Sequence, residues 1–407
     1  MAFPFELTIM NTINIQNFGP IGEGFGAPMP ISPVTIFCGL QGAGKSSVAK
    51  LISTCFWLEK ALVRGKIVKN KKTETPVFFR QQCEFHRIQN YFKADTEIDF
   101  KGTRYNFYYR NDSFVIESLP ETEKYPMPKI IYVPAERNFI SVVEHPETLK
   151  EFPASLFSLF SEFDTARKAL KKDITLPIEG YAFQYDKLNN VSWLTGSDFK
   201  VRISEAASGF QSLTPMSVVI RYITHLVRTG KEATVTLQEK NAIDKRVASI
   251  LADNTLDEQT RRLLLDQQSL LLKYGKSINI IEEPEQNLYP SSQRKVLYDL
   301  FEAYKETPYN QLIITTHSPY LLDYLTLSVK AASIKPKNEE QTQRLEAIVP
   351  IRSQVNGSEI CVYQIENGII SPLQKYQDMP SDDNMLNQEL GDTNELFAQL
   401  LEIEAEK

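Results

Sequence analysis

Histidine is scarce in this chain, with four residues among 407, and so are cysteine, also four, and tryptophan, two. Scarcity of this kind narrows the available chemistry. Cys38, Cys55, Cys83 and Cys361 form no C-x-x-C pair, so core thiols are the expected reading over disulfides or zinc ligands. No apolar run approaches the roughly 18 residues of a membrane span, and no basic segment followed by an apolar stretch opens the sequence. A cytoplasmic protein without membrane contact is expected. A net charge of −6 argues against a surface that is basic all over, although a local basic stripe would serve DNA and leaves that partner open. Internal repeats and low-complexity segments are absent, and 42% hydrophobic with 24% charged content is ordinary for a globular protein.

What is present begins with one octapeptide. Gly39-Leu40-Gln41-Gly42-Ala43-Gly44-Lys45-Ser46 fills every position of G-x-x-x-x-G-K-[ST], directly after the apolar run Val34–Cys38 and before apolar residues at helical spacing over Ser47–Leu62. Strand, glycine loop and helix in that order make a P-loop. Glycines let backbone N–H groups close around phosphates, Lys45 neutralises β/γ oxygens and the Ser46 hydroxyl reaches Mg²⁺. The candidate contacts to a nucleoside triphosphate are Gly39, Gln41, Gly42, Ala43, Gly44, Lys45, Ser46 and Ser47.

Three later segments carry polar groups at the ends of apolar runs. Ser277-Ile278-Asn279-Ile280-Ile281-Glu282-Glu283-Pro284-Glu285 reads as a strand delivering carboxylates at its carboxyl end, where ligand groups gather in open α/β sheets. Glu282 is assigned to Mg²⁺, beside Ser46, and Glu283 to the base that orients and deprotonates water. In Gln311–Pro319, His317 ends a second such strand, one helix later, where it would sense the γ-phosphate; His86, His145 and His225 are read as structural. Ser208-Gly209 opens an apolar helix expected over Met216–Val227, and free N–H groups there favour an anion.

Between these segments the chain divides. Residues 1–62 form the first part of the core with the P-loop, 63–128 an inserted β-rich region, and 129–145 a return strand and loop. Alternation in Arg104–Tyr109 and turns at Lys101-Gly102 and Asn111-Asp112 predict an antiparallel sheet from Pro76 to Leu119. Residues 146–275 are expected to be mainly helical, with a helix from Pro146 to about Asp173 and an inserted hairpin over Lys231–Lys273; 276–407 completes the core and closes on an amphipathic helix from Asn394.

Taken in order, the four segments resemble the ATP-binding-cassette ATPases: a Walker A at Gly39–Ser46, a signature-like Ala207-Ser208-Gly209-Phe210-Gln211, a Walker B at Ile278–Glu283 and a switch histidine at His317. Glu283–Pro290, Thr315-Thr316-His317-Ser318-Pro319 and Tyr132-Val133-Pro134-Ala135-Glu136-Arg137 look like the soluble branch, near SMC and RecF heads and the OLD, PtuA and AriA ATPases of bacterial defence. That resemblance implies an α/β P-loop NTPase, an ATPase head with an antiparallel β subdomain and a helical subdomain. It also implies a homodimer or higher homo-oligomer, because the family holds ATP between Walker A of one head and the signature of another. Ser208 and Gly209 would act in trans.

Glu282 stands where the family usually carries Asp, and Phe210 where it carries a small or acidic residue, so slow hydrolysis is implied. The glutamine loop of that family is not placed by the sequence, Gln81 and Gln82 lying in the inserted sheet region, and Arg137 is a candidate phosphate or interface contact. Asp382, Asp383 and Glu359 lie in no TOPRIM-like arrangement. By analogy with two-component defence systems, the implied function is ATP-driven control of a separate effector such as a nuclease, in anti-phage defence. Two other functions fit the same residues: an SMC/RecF-like DNA repair ATPase, and a nucleotide-bound scaffold that sequesters a toxic effector.

Overall fold

The computed structural model describes residues 10–120, 125–143, 151–230, 237–253 and 255–405. β1 (Thr12–Phe18) buries Ile13, Ile15 and Phe18 and turns the intervening polar residues outward, as a half-buried strand does. β2 (Met29–Pro30) pairs with it, and β3 (Val34–Cys38), buried along its whole length, leads into α1 (Lys45–Val63). After α2 (Pro76–Cys83) come β4 (Phe92–Lys101), β5 (Tyr105–Arg110) and β6 (Ser113–Ser118), which extend β1 into an antiparallel sheet of order β2-β1-β4-β5-β6. The sheet expected from Pro76 therefore begins only at Phe92. Thr75 accepts from the Phe78 N–H and Pro76 sits at the first helical position, so a cap and a fixed φ start a helix where aromatic content alone suggested a strand.

β7 (Pro128–Val133) and the single turn α3 (Phe139–Val142) precede α4 (Ala154–Ala169), shorter than the helix expected from Pro146; residues 144–150 lie outside the described residues. Four short strands follow, β8 (Ile174–Thr175), β9 (Ala182–Asp186), β10 (Val191–Thr195) and β11 (Lys200–Arg202), in a second antiparallel sheet. The expectation of a mainly helical segment missed this sheet. Its hairpin turns at Asn190, whose φ of 54° suits the left-handed tolerance of asparagine, and β10 alternates in burial. α5 (Ser208–Arg228) begins eight residues before the expected Met216 and runs through Pro215. α6 (Leu237–Ala252) and α7 (Glu258–Leu270) then pack on each other.

The rest of the chain completes the centre. β12 (Lys276–Glu282), α8 (Pro290–Lys305), β13 (Gln311–Thr316), α9 (Pro319–Ser333), α10 (Glu339–Ile348), β14 (Ile360–Glu366) and β15 (Ile369–Pro372) lead to α11 (Met385–Ala405). The central sheet has the order β15-β14-β3-β13-β12-β7 and is parallel except for β15. β3, β12 and β13 are buried along their whole length because both faces of the sheet are covered there. Val34, Ile36 and Cys38 of β3 join one core with α5 and α8, whereas Phe37 joins a second core with α1 and the first antiparallel sheet. The fold is α/β, a P-loop core carrying an antiparallel β subdomain and a helical subdomain. Among the described residues, no helix is long and apolar enough to cross a membrane.

Candidate functional site

Register fixes the site. Thr316 lies opposite Cys38, and Glu282 opposite Thr315, so the carboxyl ends of β3, β13 and β12 meet at one edge with β13 in the middle. The loop from Gly39 to Gly44 leaves that edge and feeds α1. Gly44 has φ 110°, and a Cβ there would stand 2.7 Å from Ile21 Cδ1 and 3.1 Å from Pro20 Cγ. Glycine is required at this point both by backbone conformation and by the Gly19-Pro20-Ile21 turn that buttresses the loop. Gln41 and Gly42 are exposed, Ala43 and Ser46 half-buried, Lys45 and Ser47 buried. Lys45 Nζ donates to the carbonyls of Gly39 at 2.7 Å and Leu40 at 2.8 Å. Burial pulls the Lys45 amine down to about 8, and the carboxylates Glu283, Glu285 and Glu282 oppose that pull.

Lys45, His317 and Glu283 form a chain of contacts. His317 Nδ1 lies 3.2 Å from Lys45 Nζ and its Nε2 lies 3.0 Å from Glu283 Oε1. With the ammonium donating to Nδ1 and the proton on Nε2, both contacts are hydrogen bonds. The His317 hydrogen bond is the main cause of a Glu283 carboxyl below its ordinary range. Glu283 has φ 43°, a left-handed conformation costing about 1 kcal/mol or more in a non-glycine residue. Something must hold that turn.

Arg137 holds it. The side chain is fully buried and donates to the main-chain carbonyls of Glu282 at 2.7 Å, Glu283 at 2.6 Å, Pro134 at 3.3 Å and Ser212 at 3.2 Å. With the side chain fully buried and four of its five N–H groups on main-chain carbonyls, Arg137 is a clamp on this turn, where the sequence offered it as a candidate phosphate or interface contact. Glu285 fixes the neighbouring strand end, accepting from Thr316 Oγ1 at 2.7 Å and from the His317 N–H at 2.9 Å, while burial raises its carboxyl and its Oε2 has no partner. Glu282, 3% exposed, accepts from the Tyr132 hydroxyl and from the Ala135 N–H, and Lys50 Nζ stands 3.8 Å away.

Ser208 and Gly209 stand apart from this group. Ser208 is exposed at the start of α5, and Gly209 is buried with room for no Cβ, which would lie 2.6 Å from the Asn287 carbonyl. Ser212 Oγ, one turn on, donates to Gln286 Oε1 at 3.1 Å. The helix start is thus packed on the turn after β12, but among the described residues no hydrogen bond joins it to the P-loop of the same chain. Phe210 packs on the Tyr181 ring with centroids 4.5 Å apart, which accounts for an aromatic at that position. Gln81 and Gln82 lie on α2, Gln81 exposed and Gln82 bonded to the Phe78 carbonyl, so neither belongs to the site.

Sequence reading missed Tyr132, Lys50 and Glu285. Lys50 had a signal, lying four to five residues beyond Lys45 and Ser46 on a helix that must face the sheet edge. Tyr132 had only its position just before Pro134, and Glu285 only its place as the third carboxylate of Glu282-Glu283-Pro284-Glu285.

The donor set suits a nucleotide with Mg²⁺. An ammonium and a glycine loop at a helix start suit phosphates, and one hydroxyl, Ser46, with one carboxylate, Glu282, suits a hard cation that keeps phosphate and water as its other ligands. Among the described residues no group of three or more His, Cys, Asp or Glu is arranged to hold a metal.

A family model described as "AAA domain, putative AbiEii toxin, Type IV TA system" matches residues 260–323, which hold β12, α8, β13 and His317. That is well under half of the chain. No curated protein matches. Among solved structures, the Smc head domain with an extended coiled coil bound to the C-terminal domain of ScpA, derived from Pyrococcus furiosus, is 10% identical, with 91% of this chain and 97% of that one covered and a TM-score of 0.40. The SMC head domain from Thermotoga maritima is also 10% identical, with 90% and 99% covered and a TM-score of 0.34. A nucleotide-free ATP-binding cassette from an ABC transporter gives 10%, 91%, 92% and 0.30. These are distant likenesses, and the site's own geometry carries the functional reading.

Proposed function

We propose that this chain is an ATP-binding-cassette type ATPase whose heads pair around ATP and thereby control a separate effector. The observation that supports it most is the Lys45–His317–Glu283 chain at the mouth of the P-loop, assembled from segments 272 residues apart. In this reading Lys45 and the amides of Gly39, Gln41, Gly42, Ala43, Gly44, Ser46 and Ser47 bind the phosphates. Glu283 orients a water and accepts its proton, and His317 keeps Glu283 ionised and aimed. Mg²⁺, where bound, would neutralise phosphate charge, and Ser46 and Glu282 would hold it. The exposed Ser208 and the buttressed Gly209 would complete the site of a second copy, which accounts for their separation from the P-loop in one chain. ATP then favours the paired state because it binds that state better.

Control of a nuclease in cytoplasmic anti-phage defence is the effector role supported by the motif pattern; DNA repair would require a basic stripe that binds duplex in a salt-dependent way. Equilibrium binding tests the core of the reading. The full chain should bind ATP and hydrolyse it slowly, and Lys45→Ala should bind it at least about thirtyfold more weakly, since a desolvated charge-assisted contact is lost. Equal binding by Lys45→Ala would remove the ATPase reading altogether.

A further inference from the structure

Glu282 places its carboxylate one methylene further from the backbone than aspartate would, and the structure shows what takes up that reach. Oε1 accepts from the Tyr132 hydroxyl, and Oε2 accepts from the Ala135 N–H at 3.1 Å. Tyr132 lies in β7, the strand beside β12, directly opposite Ile280, and Ala135 follows two residues after the end of β7. Tyr132 is itself fixed. Its ring packs on His86, with centroids 4.4 Å apart, and His86 Nε2 lies 3.0 Å from Ser53 Oγ on α1, the helix that the P-loop begins. Tyr132 and His86 are 5% and 4% exposed, so neither has water to turn to.

We propose that Tyr132 is a positioning residue: its hydroxyl holds the long Glu282 carboxylate where it serves the Mg²⁺ of a bound nucleotide, and tyrosine and glutamate act as a pair in place of a single aspartate. This rests on the nucleotide reading above. Partners that orient a metal-binding carboxylate change metal affinity by about 10–100-fold when removed. A hydroxyl that merely satisfied a buried carboxylate would act otherwise. Its loss would lower stability and leave the response to Mg²⁺ unchanged, because the unpartnered oxygen costs the same with or without the ion.

The test is equilibrium binding of a non-hydrolysable ATP analogue to the full chain, by calorimetry, over a range of Mg²⁺ concentrations and in EDTA. In Tyr132→Phe the Mg²⁺ concentration that gives half of the tightening should rise about tenfold, while the Kd in EDTA stays within twofold of wild type. Glu282→Asp supplies a second arm, since the shorter side chain no longer reaches the hydroxyl. On that background Tyr132→Phe should change Mg²⁺ dependence by less than about twofold, the non-additivity expected of a coupled pair. Wild-type Mg²⁺ dependence in Tyr132→Phe, or effects of the two substitutions that multiply, would overturn the pairing while leaving the ATPase reading intact. Failure of the wild-type chain to bind the analogue at all would instead remove the ATPase reading, and this inference with it.

Discussion

Two glycine-bearing helix starts in this molecule present backbone N–H groups, and their surroundings differ. At Gly44 the surroundings converge: Lys45, His317, Glu283, Glu282 and Glu285 come from three strand ends of one sheet edge and are bonded to one another or to main chain. At Gly209 the buttressing lies behind the helix start, where Asn287 and Gln286 support it, and Ser208 faces outward. One end is furnished within the chain; the other is presented. An anion at the second end would find a helix dipole worth about 0.3–1 kcal/mol. The contrast fits the proposal of a site shared between two copies.

The largest test of that contrast is at the furnished end. Glu283→Gln keeps size and burial and removes the group that accepts a proton, so ATP turnover should fall by about 10²–10⁴ with the Kd for ATP changed little. Steady-state hydrolysis beside calorimetric binding separates the two. Turnover within a factor of about three of wild type would take the base role from Glu283.

How much of this was readable beforehand follows from the range of each interaction. The P-loop was legible because its geometry is set by adjacent residues, Gly39 to Ser46, and the parallel placing of the His317 strand near the carboxylate strand followed from the single helix between them. Tyr132 and Arg137 were not legible in their roles. Their bonds to Glu282 and Glu283 span 150, 145 and 146 residues, and nothing near Tyr132 in sequence marks the carboxylate it will meet. Residues 76–83 and 174–202 were misread for a local reason: a Thr75 cap outweighed aromatic content in one, and short alternating strands were absorbed into a helical estimate in the other.

A smaller effect should come from the presented end. Ser208→Arg adds bulk and charge at an exposed position, so each chain should bind ATP as before while turnover drops by about 10²-fold, the cost of displacing a partner's contribution. Mixing this variant with Lys45→Ala is the sharper experiment. Neither should hydrolyse ATP appreciably alone, but about half of all pairs formed would be mixed, each with one intact site out of two, restoring about a quarter of wild-type turnover. Recovery that stays at the level of the separate variants would mean that Ser208 serves its own chain or none, and the contrast between the two helix starts would lose its functional meaning.

The smallest expected effect lies behind the furnished end, in the support for Tyr132. Burial pushes the His86 imidazole down to about 3, and Lys50 pushes the same way. The groups facing it are Ser53, Tyr132, Phe85 and Lys50, and its Nδ1 has no partner, so nothing there stabilises a proton. In the unfolded chain the same ring titrates near 6.5. Between those two values the unfolded state holds the proton and the folded state does not, so His86 makes stability rise with pH across about 3 to 6.5 and contributes no slope above it. His86→Phe removes the titrating group and keeps an aromatic ring against Tyr132. The loss of Tm on going from pH 7 to pH 5 should therefore be smaller in this variant than in wild type by a few degrees, read by thermal unfolding. Equal losses in the two proteins would show that the acid sensitivity of this edge arises from its carboxylates and not from the ring behind them.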